Sequence, residues 1–198
     1  MRKSLVILLP LLLCVSPVYG YKIRYAEQFY RLYHLHFNRN SDNTMENIYW
    51  LEQALEADFC NPLYALARIE HPDEWRHYRY LFKMHVNLKL VEMYRLFGSR
   101  YDKRAAYFFN QPWKESNLES LDTAETLYRT ALIYWDEAVR WAGKLRSSPH
   151  HLEEIQQWED EQYRIETGEL DYREIIGDDL RRLGRVREEF QAMDESTY

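Results

Sequence analysis

Aromatic rings recur every four residues near the start of this chain: Tyr25, Phe29, Tyr33 and Phe37, with Leu32 on the same side. That period lines one face of an α-helix and is foreign to the two-residue alternation of a strand. It predicts a first helix over residues 21–38. Strand-like alternation is absent elsewhere. Glycine and proline are scarce, six each in 198 residues, so few points break a helix. Asn43 and Glu46, three apart, read as a capping box for a second helix ending near Asp58. Asn61-Pro62 predicts a third. His71-Pro72-Asp73-Glu74 places proline at the first helical position and acids in the first turn, and predicts a long fourth helix that stops at Gly98. A short helix is expected over residues 101–109, broken at Gln111-Pro112. A sixth runs from an Asp122–Glu125 cap to Leu145, a seventh from Ser148-Pro149 to Gly168, and an eighth starts at an Asp171–Glu174 cap. The expectation is an all-α chain of about eight helices. Short loops set neighbours antiparallel, as hairpins in a short solenoid or a bundle.

The N-terminus reads as an export signal over residues 1–20. Arg2 and Lys3 precede an apolar run from Leu5 to Leu13, and Val18-Tyr19-Gly20 supplies the small residue of a cleavage site. At roughly ten residues the run is too short for an ordinary membrane span. The mature chain is expected to begin near Tyr21, in the periplasm or secreted, with no transmembrane segment. The alternative is a lipid anchor on Cys14, although Leu13 stands where a small residue normally precedes such a cysteine. After cleavage near Gly20 only Cys60 remains, so no intramolecular disulfide forms. Cys60 reads as a small buried residue at a helix end, with pairing to another chain as the minor reading.

Charge divides the rest into a helical body, residues 21–147, and an acidic C-terminal hairpin, residues 148–198. Residues 150–198 carry 6 basic and 15 acidic side chains. A nucleic-acid surface must be basic, so that class of partner is excluded.

No catalytic motif stands out, and no enzyme activity, metal or cofactor is expected. His34 and His36 lie about 200° apart around a helix and cannot share an ion. His77 and His85 are about 12 Å apart along one. His-Glu-x-x-His, Gly-x-Ser-x-Gly and phosphate-cradling glycine loops are absent. Glu153-Glu154 and Asp178-Asp179 read as helix-start charges on solvated faces. An enzyme would need a site assembled from distant residues, around His85 with Glu92 or Tyr128.

Two segments resemble tetratricopeptide repeats. Residues 47–58 read like the second helix of such a repeat, with Ala54 at the small position and Leu51 at the large one; Asn47 and Phe59 stand where the family has Ala and Pro. In residues 136–145 Ala138 matches a small position and Ala142 occupies the large one. The resemblance implies helical hairpins that present a groove to another protein. The Tyr-rich stretch of residues 101–113 is similar in style to small periplasmic helical proteins of spirochaetes, some tied to the flagellar apparatus.

Two stripes are candidate partner surfaces. Arg76, Arg79, Lys83 and Asn87 follow one another at helical spacing, with no acid four positions ahead of the three cations. A solvated face is the plain alternative; a groove for a carboxylate-bearing partner is the functional one. Tyr172, Ile176, Leu180, Leu183, Val186 and Phe190 line one side of the last helix, with Gly177 and Gly184 permitting close approach of another helix. That stripe folds back on the body, or a partner or second copy of the chain covers it. Within it, Ile176, Leu183 and Phe190 are the contact candidates. The function expected from all this is an exported scaffold or adaptor of a cell-envelope or flagellar assembly. The alternative is a carrier with an apolar pocket for a small molecule or lipid.

Overall fold

The computed structural model describes residues 22–145 and 150–197. The export signal, Cys14 and the Ser148-Pro149 helix start lie outside them. Six α-helices are present among the described residues: α1 (Ala26–Arg39), α2 (Thr44–Glu56), α3 (Pro72–Ser99), α4 (Lys114–Gly143), α5 (Gln156–Thr167) and α6 (Tyr172–Ala192). The described residues form no strand, only an isolated bridge between Tyr25 and Asp58. Among the described residues no helix is long and apolar enough to cross a membrane.

Several ends form as their residues dictate. The Asn43 side chain accepts from the Glu46 N–H and donates to its carboxylate. Glu74 reaches back to the N–H groups of Glu70 and His71. Asp171 accepts from the N–H groups of Arg173 and Glu174. Gly168 ends α5 at φ 76°, a conformation in which any Cβ is strained.

Six helices stand where eight were expected. Pro62–Tyr64 is a single 3-10 turn. The Leu66 N–H there donates to the Tyr78 hydroxyl, so the helix does not propagate. Residues 101–107 form no helix either. Their backbone is held from outside: Ser120 donates to the Tyr101 carbonyl, and the Ala106 N–H donates to Glu189. The Phe108–Trp113 3-10 turn, Pro112 included, runs straight into α4. Asp122 therefore lies inside α4, where it pairs with Arg187 rather than capping. Glu153–Ile155 is a 3-10 turn ahead of α5.

The two long helices form the spine. Along α4 and just past its end, Leu121, Ala124, Tyr128, Ala131, Trp135, Ala138, Ala142 and Leu145 are all buried. Their spacing alternates three and four, the seam of a helix packed lengthwise on another. Alanine at every other seam position lets α3 come close. Between Leu81 and Val91, α3 is buried on nearly every side, which marks a helix surrounded by neighbours. The α1–α2 hairpin, α4 and α5 surround it. The Trp158 ring of α5 meets Tyr30 of α1 edge-on, with centroids 5.7 Å apart, while also contacting Phe82 and His85 of α3. Helix α6 lies along α4. The repeat-like segments fall in α2 and at the end of α4, with Leu51, Ala54, Ala138 and Ala142 buried.

Candidate functional site

The first candidate is a groove of about 890 Å3 whose walls include Phe59, Trp75, Arg79, Tyr80 and Lys83. Helix α3 supplies Trp75 to Lys83, and the chain leaving α2 supplies Phe59. Beside the groove, on the far side of Tyr80, the end of α4 sets Trp141 obliquely against that ring, with centroids 5.4 Å apart. Cations sit on these rings. The Lys83 ammonium lies 4.7 Å from the Trp141 centroid, Lys144 lies 3.8 Å from the same ring, and Arg140 lies 4.8 Å from it. Arg79 lies 5.7 Å from Trp75. The ring faces hold the cations without neutralising them. Among the described residues Glu137 pairs only with Arg140, and no carboxylate pairs with Arg79, Lys83 or Lys144. Glu56 and Asp58 also line the groove. Burial and then the charges of Arg79, Lys144 and Arg140 push the Lys83 ammonium below its usual range.

The expected stripe is thus only half present. Arg79 and Lys83 converge in the groove. Arg76 is exposed and pairs with Asp73, three positions behind it at 2.7 Å. Asn87 is buried and donates to the Lys83 carbonyl, so it faces no partner. The second stripe is corrected too. Ile176, Leu183 and Phe190 are buried in the core. The stripe folds back on the body because α6 turns at Gly168 and lies along α4. Gly177 and Gly184 admit no helix: a Cβ on Gly177 meets only an Arg181 side chain, and one on Gly184 meets nothing within 4 Å. The glycine that does allow close approach is Gly98, where a Cβ would stand 2.7 Å from Tyr128.

Beside Gly98 lies a second cavity, of about 680 Å3, lined by Glu92, Arg95, Arg104, Tyr128, Asp179 and Arg182 among others. Four of its charged or hydroxyl-bearing side chains form one network with Asp102. Arg95 and Arg182 both hold Asp179, at 2.7 and 2.9 Å, and Arg182 also holds Asp102. The Tyr128 hydroxyl donates to Asp102 at 2.9 Å. Asp179 was expected on a solvated face; it is buried in this network, while its neighbour Asp178 is exposed and pairs with Arg181.

A third feature is a hydrogen-bonded relay inside the core. His85, 2% exposed, sits between the Tyr30 hydroxyl at 2.7 Å and the Glu161 carboxylate at 2.5 Å. With the Glu161 carboxylate as acceptor, the His85 proton sits on Nδ1 and Nε2 accepts from the Tyr30 hydroxyl. Burial holds the imidazole below its usual range, against the pull of Glu161, and burial with the Glu161 charge raises the Tyr30 phenol. Lys89 joins Glu161, at 3.6 Å, to Glu92, at 3.1 Å. The expected grouping of His85 with Glu92 or Tyr128 is therefore replaced. Glu92 is reached only through Lys89, and Tyr128 belongs to Asp102. Trp158 stacks on the His85 ring, Phe82 and Trp158 both meet Tyr30 edge-on, and the relay ties α1, α3 and α5 together as a core bond set.

A family model described as a domain of unknown function, DUF8513, matches residues 73–193, more than half of the chain. The chain belongs to this family. The matched segment runs from the first turn of α3 to just past α6. It contains Arg79, Lys83, Arg140 and Lys144, and His85 with Glu161, but neither α1 nor α2. No curated protein and no solved structure matches the chain.

Sequence reasoning missed Trp141 and Lys144, because they belong to a different helix from Lys83. The available signal was Arg140-Trp141 followed by Lys144, a ring flanked by cations at the end of an amphipathic helix. It also missed Glu161, whose neighbours Glu159 and Asp160 make it look like one more surface acid.

Proposed function

We propose that this protein is an exported helical adaptor that binds an acidic segment of another protein on the cationic, ring-bearing surface that runs from the α3 groove to the end of α4. One observation carries the reading: Arg79, Lys83, Arg140 and Lys144 surround Trp75, Trp141 and Tyr80 with a single paired carboxylate among them. Carboxylates entering such a site gain hydrogen bonds to charged donors that the rings already hold in place, so little side-chain entropy is lost on binding. The hairpin arrangement and the repeat-like segments of α2 and α4 agree with a docking role. Each of the four cavities described among these residues has charged side chains in its wall, which suits polar segments better than a lipid tail.

The test is titration with a hexaglutamate peptide, read through tryptophan fluorescence and repeated at rising salt. Binding is expected to weaken with salt, and a hexalysine peptide is expected not to bind. The Arg140→Glu/Lys144→Glu variant, altered at exposed positions, is expected to bind at least about tenfold more weakly, a loss of roughly 1.4 kcal/mol, with unchanged helical content. Equal affinity in wild type and variant refutes the groove.

A further inference from the structure

Glu27, in the first turn of α1, is 2% exposed. Its carboxylate accepts the Cys60 N–H at 3.0 Å and the Tyr78 hydroxyl at 3.4 Å. Both donors are neutral. Arg31, four residues on, is the counter-ion that helix spacing offers, yet among the described residues no cation forms an ion pair with Glu27. A buried carboxylate with no counter-charge is costly unless something supplies one. Two neighbours feel its charge. The Cys60 thiol is pushed up to about 12 by burial and by Glu27, and the Tyr78 phenol is raised by the same two causes.

This carboxylate lines a cavity of about 330 Å3, with Tyr25, Gln28, Arg31, Cys60 and Tyr64 as the other walls. Tyr64 is 72% exposed and Tyr25 39%. The volume stands at the small end of ligand pockets. A carboxylate has about four lone-pair directions, and the two donors present leave others open. A metal ion is a poor match. The thiol of Cys60 stays protonated and donates to the Asn61 carbonyl, and among the described residues no three His, Cys, Asp or Glu side chains gather.

We infer that this pocket binds an organic cation, an ammonium or guanidinium group, with Glu27 as its counter-ion and the rings of Tyr25 and Tyr64 as its walls. The carboxylate supplies the charge and the rings supply quadrupoles that favour a cation over a neutral group of the same shape. Arg31 is exposed on the same wall and opposes entry of a like charge. Tyr25 and Cys60 line both this pocket and the cationic groove. The two sites therefore adjoin, with Arg79 and Lys83, free of ion pairs among the described residues, on one side and Glu27 on the other, an order that one partner segment bearing a basic residue beside acidic ones would match.

The experiment is calorimetric titration of the full chain with benzylammonium and, in parallel, benzyl alcohol. The ammonium is expected to bind at least about tenfold tighter. Glu27→Gln, which keeps an acceptor for its neutral donors, is expected to erase that preference. If that variant loses its helical circular dichroism, two exposed positions serve instead. Arg31→Gln is expected to tighten benzylammonium about threefold, and Tyr64→Ala to weaken it about fivefold. A capped Gly-Lys-Gly peptide separates the sources: tighter binding than n-butylammonium assigns the cation to a protein side chain, and weaker binding assigns it to a free amine. No preference for ammonium over alcohol in the wild type, or no response to either exposed-site variant, overturns the inference. The Arg140→Glu/Lys144→Glu variant is expected to bind benzylammonium normally, so failure here leaves the groove reading standing, and the reverse holds.

Discussion

Replacing Gly98 by alanine tests whether the close approach of α3 to α4 sets the Tyr128–Asp102–Arg182 network. On helix propensity alone the change stabilises, by up to about 1 kcal/mol and by less this near a helix end. The structure reverses the sign. A Cβ would stand 2.7 and 2.8 Å from two carbons of the Tyr128 ring and 3.4 Å from the Ala124 carbonyl oxygen. Carbon atoms in good contact stand about 3.5–4.0 Å apart, so the ring must move by most of an ångström. Over-packing of this kind costs about 1–3 kcal/mol. Moving the ring also pulls its hydroxyl from Asp102, 2.9 Å away, and a hydrogen bond to a charged group is worth about 1.5–3 kcal/mol. With less than about 1 kcal/mol of propensity set against these two costs, net destabilisation of about 2–5 kcal/mol is expected, read as the urea midpoint at constant slope. The same substitution in a Tyr128→Leu background is expected to be neutral or mildly stabilising, since the ring it strikes is gone. Equal effects in both backgrounds, or a stabilising effect in the wild type, would show that Gly98 does not govern this contact.

Other expected outcomes concern the core. Tyr33→Ala removes a ring 3% exposed at the heart of the α1 face and is expected to cost about 3–5 kcal/mol in urea unfolding; a change under about 0.5 kcal/mol would place the ring outside the core. Burial lowers both His77 and His85, so the unfolded chain binds their protons first. Stability is then present above the unfolded value of about 6.5 and is lost as pH falls below it; urea midpoints are expected to drop from pH 7.5 to pH 5.5, and a flat or rising profile contradicts the neutral relay. Burial raises Tyr94 and Tyr172 to about 12, and Tyr30, Tyr33, Tyr78, Tyr128 and Tyr134 further. Stability is full below about pH 10 and lost above it, so phenolate absorbance is expected to rise together with loss of helix rather than ahead of it.

The helices were legible where the signal was local. Asn43 with Glu46, Asp171, Gly168 and the His71-Pro72 start each act through atoms within a few residues, and each end falls within a residue or two of its signal. The errors arose where a distant residue captured the backbone. Tyr78 takes the Leu66 N–H, and Ser120 takes the Tyr101 carbonyl, so two apolar stretches with helical spacing remain a turn and a loop. The seam on α4 was readable in principle, but an expected start at Asp122 cut off Leu121 and hid its regularity. A capping pair is a weak boundary signal inside a strongly amphipathic run, because buried seam contacts outweigh the roughly 1 kcal/mol that one cap supplies.

Charge was the least legible layer, and the reason is geometric. Spacing along a helix reveals partners three or four residues away, such as Asp73 for Arg76, but the residues that decide a site come from other helices. Lys83 shares the Trp141 ring of α4 with Lys144 just past the helix end, His85 meets Glu161 of α5, and Asp179 meets Arg95 of α3. What the sequence did carry was the anomaly on one side of each pair. His85 stands in an apolar row with Trp75, Tyr78 and Phe82, and a buried imidazole requires a polar partner inside the core. Glu27 presents the same anomaly on α1, between Ala26 and Tyr30, which are both buried. The relay answers the first from within the chain. For the second, the described residues supply two neutral donors and no ion pair, and the carboxylate lines a cavity, whereas His85 is closed in by core rings.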